Sequence, residues 1–131
     1  MVIVVYILMY QVYVLGYPIG GDELSVTEGV VSRVEVQTYS HSSTRALAIT
    51  VDAAINSGNS GGPIIDKESG EVIAIAFQGY AGSDVENQGH GVPAPLMHHF
   101  LHSLSRKLGE EPSDNDQLVS ESTKGWMALI K

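Results

Sequence analysis

The sequence predicts an all-β domain, an antiparallel barrel or sandwich followed by one short helix, and three observations predict it. Apolar, β-branched runs alternate with clusters of Gly, Pro, Asn, Asp and Ser from about Gln11 to Pro95. Helical spacing is clear only near the end, where Leu96, Phe100, Leu101, Leu104 and Leu108 can share one face. With 131 residues, 44% hydrophobic and 17% charged, the chain can build one domain with a real core and is too short for two ordinary ones.

Taken in order, residues 1–13 open on "MVIVVYILMY", almost wholly apolar up to Gln11. A spanning helix needs about 20 apolar residues, and a secretory signal needs a basic start and a small-residue cleavage site. The β-branched and aromatic content favours a strand, with a membrane or targeting remnant as the alternative, and no membrane span is expected. Gln11 to Leu15 alternates and stops at the turn-rich Gly16 to Gly21. Leu24 to Val36 reads as a strand pair broken around Glu28-Gly29, and Tyr39 to Arg45 as a polar surface loop. Ala46 to Ile55 is a strand, and Pro63-Ile64-Ile65 begins another after a glycine-rich turn. "DKESGE", residues 66–71, is a hairpin turn with Gly70 at its tip, and Val72 to Phe77 returns as a strand. "GSDVENQGHG", residues 82–91, is expected to be a second polar loop. From Gly109 the acidic "GEEPSDNDQLVSEST" buries little and reads as a linker or loose tail, and the apolar residues 125–131 are too few for a domain.

Composition removes several classes of function. Seven Lys plus Arg against fifteen Asp plus Glu give a net charge of −8, so no basic stripe exists for nucleic acid or an anionic membrane. The absence of cysteine excludes disulfide scaffolds, thiolate zinc sites and cysteine nucleophiles. His98 and His102 stand at i, i+4 beside His99, a spacing that can hold zinc. No glutamate sits where a zincin needs one and no third ligand is evident, so a polar helix face is expected, with no metal and no cofactor. Glu110-Glu111 and Asp114 to Asp116 are expected as a solvated acidic run.

The stretch that carries chemistry is "AAINSGNSGGPII", residues 53–65. A serine hydroxyl attacks only when a base takes its proton and donors stabilise the oxyanion that forms. Glycines beside it let the backbone turn its N–H groups toward that oxygen. The amides of Gly58 and Ser60 could supply two such donors, Gly61 and Gly62 leave room for a substrate backbone, and Pro63 stiffens the exit. From these residues alone an ordinary Gly/Ser hairpin is the favoured reading.

"GNSGGP" resembles the nucleophile motif of chymotrypsin-fold serine proteases, and "DAAINSGNSGGPIID", "GYPIGG", "SVTEGVVSRVEV" and "GHGVPAPLMHHFL" together resemble the Deg/HtrA (Do-like) serine endopeptidases, most of all the plant-type members. The likeness runs from about Val14 to Leu101. It implies the C-terminal six-stranded antiparallel β-barrel of a chymotrypsin-like protease over 14–102, with the terminal helix, and a polar acidic tail over 103–131 holding no complete PDZ domain. It implies that Ser60 is the acyl-forming nucleophile and that Gly58, Asn59 and Ser60 form the oxyanion loop. Ile55 would line the pocket for a substrate side chain that is small or medium and aliphatic. Ala76, Phe77 and Gln78 would form the strand that pairs with the substrate, and Asp52 would be structural. Thr38 to Arg45 and Gly79 to Gly91 would be regulatory loops.

The resemblance further implies hydrolysis of unfolded or damaged proteins, homo-oligomeric assembly of full-length relatives, and a chloroplast, mitochondrial or nuclear setting. In this family the triad His and Asp come from a first barrel that precedes "GYPIGG". Only about fifteen residues precede Gly16, so this chain is expected to carry the second barrel alone, as a fragment without that His and Asp. His41 and His90 are the local histidines nearest the motif in sequence, and neither fits a catalytic-histidine pattern. The chain by itself is therefore expected to be inactive; a non-catalytic, peptide-binding pseudoprotease module is the alternative.

Overall fold

The computed structural model describes residues 8–17, 19, 22–38, 44–56, 58–82 and 85–109. Six strands, β1 (Gln11–Gly16), β2 (Ser25–Thr38), β3 (Arg45–Asp52), β4 (Pro63–Asp66), β5 (Val72–Gly82) and β6 (Val85–Pro93), precede one helix, α1 (Ala94–Leu108). All neighbouring strands are antiparallel, in the order β1-β2-β3-β6-β5-β4, and β4 pairs back onto β1 to close a barrel. Closure leaves no full-length edge strand in search of a partner. The expected six-stranded barrel with one terminal helix is the fold observed.

Alternation fills the barrel. Val12 and Val14 of β1, Val31 of β2, Ile49 and Val51 of β3, Ile64 of β4 and Ala74 of β5 are fully buried. Burying each of the larger aliphatic side chains contributes about 1.5–3 kcal/mol. Between β1 and β2 the register sets Val14 against Thr27 and Val12 against Gly29.

Two elements differ from expectation. Ser25 to Thr38 is one continuous strand, with a register shift between Val31 and Arg33 and no turn at Glu28-Gly29. Gly29 is there for proximity: a Cβ on it would stand 2.0 Å from the Asp52 carbonyl oxygen and 2.7 Å from Ala53 Cβ. The second difference is at 82–91, which is strand β6 over most of its length and not a loop. Its polar composition conceals the pattern, because the positions facing the core are glycines. A Cβ on Gly91 would lie 2.7 Å from Ile64 Cδ1, and one on Gly89 only 2.2 Å from Ile55 Cδ1, so neighbouring isoleucines supply the missing volume. The expected regulatory loop at Gly79 to Gly91 is accordingly the end of β5 plus most of β6. Of Thr38 to Arg45, Thr38 ends β2 and Arg45 begins β3, while 39–43, His41 included, lie outside the described residues.

The chain divides into two compact units, Met1–Pro93 with the barrel and Ala94–Lys131 with the helix. Helix α1 begins two residues before the expected Leu96. Pro95 sits in its first turn, where a missing N–H costs nothing. Arg106 and Lys107 complement the dipole in the last turn, and Gly109 follows at φ +77°. Phe100, Leu101, Leu104 and Leu108 of the apolar stripe are exposed.

Candidate active site

The loop between β3 and β4 holds the motif. Gly58 and Gly61 have φ of 104° and 88°, the left-handed region that disfavours any side chain. The loop is fastened at both ends. The Asn59 amide donates to the Asn56 carbonyl (3.0 Å) and the Gly62 amide to the Asn59 carbonyl (2.9 Å). The Gly61 amide donates to the Ala76 carbonyl (2.6 Å), and the Ala76 amide returns a bond to the Gly62 carbonyl (2.9 Å). Behind it β1 comes very close, since a Cβ on Gly62 would meet the Leu15 carbonyl oxygen at 2.0 Å. A Cβ on Gly16 would meet Asn59 Oδ1 at 2.6 Å.

This pinning leaves an alternation along the loop. The amides of Asn59, Gly61 and Gly62 are committed, whereas among the described residues those of Gly58 and Ser60 donate to no backbone carbonyl. Ser60 is exposed. Asn59 is fully buried, yet among the described residues its Oδ1 and Nδ2 have no hydrogen-bond partner. Leaving such a carboxamide unpaired costs about 1–3 kcal/mol, a strain concentrated in this turn.

Ile55, three residues before Gly58, is half-buried and packs onto Gly89 of β6. Ala76 is buried, and both its backbone groups serve the loop. Phe77 follows at a register shift between Ala76 and Gln78, and Gln78 pairs with His90. β4 pairs with β5 only as far as Ile75, so from Gln78 to Gly82 β5 pairs, among the described strands, with β6 alone. Asp52 ends β3, exposed, opposite Gln88.

His90 is 4% exposed, and its Nδ1 lies 3.0 Å from the Thr50 hydroxyl. That hydroxyl donates to Glu35 Oε1 at 3.1 Å. Phe77 stacks at a tilt on the imidazole, with ring centroids 6.2 Å apart. Burial pushes the His90 pKa below its ordinary value; the nearby Glu35 carboxylate opposes this and Arg33 adds to it. Glu35 is held below the usual carboxylate range, first by a hydrogen bond from the Gln37 side chain, against the cost of burial, and then by Thr50, Arg33 and His90. The sequence reading missed Thr50 and Glu35. The available signal was a hydroxyl inside the otherwise apolar run "ALAITV".

Residues 8–75 match the family model of the trypsin-like peptidase domain. Protease Do-like 2, chloroplastic, of Arabidopsis thaliana is 51% identical over 96 residues, covering 73% of this chain. Putative protease Do-like 3, mitochondrial, of the same plant is 48% identical over 118 residues, covering 82%. Among solved structures, the HtrA-type protease AlgW with decapeptide superposes with a TM-score of 0.63 at 28% identity, over 74% of this chain and 29% of that one. The chain belongs to the trypsin-like peptidase family and, within it, to the Deg/HtrA serine proteases. It spans 16% and 20% of the length of the two Arabidopsis relatives.

Proposed function

We propose that this chain is the nucleophile-bearing barrel of a Deg/HtrA serine endopeptidase that cleaves unfolded polypeptide through an acyl-enzyme on Ser60. The observation that supports it is the alternation in the loop: Ser60 is exposed, its amide and that of Gly58 donate to no backbone carbonyl among the described residues, and the amides of Asn59, Gly61 and Gly62 are tied down. Ser60 Oγ attacks the scissile carbonyl carbon and its proton passes to a base. The carbonyl oxygen takes the negative charge between the Gly58 and Ser60 amides. The C–N bond then breaks as the base protonates the leaving amine, and water releases the acyl group by the reverse order of steps. Each oxyanion donor of this kind contributes about 10²–10³ in rate.

The base is the His of a first barrel, oriented by its Asp, and not His90, which is buried. Ile55 forms one wall of an apolar pocket for small or medium aliphatic side chains. Because Ala76 holds the loop, the substrate backbone pairs along β5 from Phe77 and Gln78 onward, as an added strand. Fluorogenic casein hydrolysis tests this in two arms. The chain alone is expected to show no turnover above its Ser60→Ala variant; joined behind the first barrel of Protease Do-like 2, it is expected to gain Ser60-dependent turnover. Ser60-dependent turnover by the chain alone would refute the placement of the base. A silent fusion would favour the non-catalytic, peptide-binding reading.

A further inference from the structure

We propose that His90 is a positioning residue for the substrate-pairing edge of β5, its imidazole oriented through the Thr50 hydroxyl by the Glu35 carboxylate and laid against Phe77. The proposal rests on the reading of that edge given above. In "GHG", residues 89–91, the two glycines face Ile55 and Ile64, so strand alternation sends the His90 side chain to the opposite face. Thr50 stands directly across from it in the β3–β6 register. A threonine hydroxyl has one proton, and an ionised Glu35 can only accept, so that proton lies on the Thr50–Glu35 bond. Toward His90 the hydroxyl therefore accepts, and the neutral imidazole is held as the Nδ1–H tautomer. Glu35 thus fixes the ring's tautomer and plane through one intermediary. The ring in turn backs Phe77 at the register shift, the kind of irregularity that re-aims a strand residue.

Charging this imidazole disturbs the arrangement. The charged groups facing it come from β2: Glu35, which favours the cation, and Arg33, which opposes it while also donating to Gln88 Oε1 at 2.8 Å. β3 contributes Thr50 and β5 contributes Phe77, neither titratable in this range. Protonation adds the charge at Nε2 and keeps the Nδ1–H bond to Thr50, so the cost is that of a cation buried behind Phe77; hydrating it opens the edge, and peptide affinity falls as His90 gains its proton.

The test is fluorescence anisotropy of fluorescein-labelled β-casein on the full chain, between about pH 7.5 and about pH 5.5, in a background with His98→Gln, His99→Gln and His102→Gln. Affinity is expected to fall on the order of fivefold toward the acid end, and His90→Gln is expected to remove most of that dependence. Thr50→Ser, which keeps the hydroxyl, should retain the profile, while Thr50→Val should shift its midpoint. If His90→Gln does not fold, the Thr50 pair carries the test. A profile that His90→Gln leaves unchanged, or Thr50→Val indistinguishable from Thr50→Ser, overturns the proposal alone. A wild-type chain that binds casein at no pH strikes down the edge reading, and the proposal with it.

Discussion

Two turns of this barrel each set a serine beside a glycine of positive φ and have opposite characters. The hairpin "DKESG" between β4 and β5 satisfies itself. Asp66 Oδ2 accepts from both the Ser69 amide (2.9 Å) and the Ser69 hydroxyl (2.6 Å), and the Ser69 hydroxyl also accepts from the Glu71 amide. The Gly70 amide donates to the Asp66 carbonyl, and the Asp66 amide to the Glu71 carbonyl. Among the described residues, the loop "NSGNSGG" between β3 and β4 instead leaves the Gly58 and Ser60 amides without a carbonyl, and the Asn59 carboxamide buried and unpaired. Both use a glycine at positive φ beside a serine. The difference teaches that a turn which closes its own hydrogen bonds has only stability to offer, while one held open from outside keeps donors for something else.

The comparison can be broken most severely at the hydroxyl. In the fusion with a first barrel, Ser60→Ala is expected to cost about 10⁶ in kcat with an unchanged thermal midpoint, whereas Ser69→Ala in the hairpin leaves kcat alone. Gly62→Ala comes next, because its Cβ would collide with the Leu15 carbonyl of β1. It should destabilise by about 3 kcal/mol or more in urea titrations. By contrast Gly61→Ala and Gly70→Ala meet nothing within 4 Å, so both carry only the left-handed penalty of about 1–2 kcal/mol.

Acid sharpens the contrast between the satisfied turn and the buried imidazole. Asp66 is held below its ordinary 3.8: burial opposes this, but the Ser69 hydroxyl and the Ser69 and Glu68 amides outweigh it. Its contribution is therefore present above about pH 4 and lost as pH falls through its folded value. His90 is shifted down from 6.5, so the unfolded chain takes up the proton first. Stability is thus expected to decline as pH drops below about 6.5 and to level off below the folded value. Urea midpoints across pH should lose the upper step in His90→Gln and the lower step in Asp66→Asn. The smallest effect concerns Asn59. Its orphaned carboxamide contributes little, so Asn59→Leu is expected to be neutral or to stabilise by up to about 1 kcal/mol, while impairing casein cleavage by the fusion.

Local chemistry made much of the barrel legible. The alternation of Gln11 to Leu15, the Gly70 hairpin and the helical period after Pro95 each appear at the positions read from the sequence, because each depends on residues a few places apart. The misread elements depend on contacts across the barrel. Gly29 looked like a break because glycine is common in turns, but it is required where the Asp52 carbonyl crosses β2. β6 looked like a loop because its inward positions, Gly89 and Gly91, borrow their volume from Ile55 and Ile64.

The site divides in the same way. The sequence by itself determined the family, the motif that carries Ser60, and the glycines that let its loop turn, since these depend on residue identity and spacing. Only the tertiary structure decided that Ala76 anchors that loop, that Asn59 is buried against Gly16 with no partner among the described residues, and that Thr50 and Glu35 stand behind His90. The contacts involved join residues 14 to 43 positions apart, and their partners are set by the register with which the barrel closes.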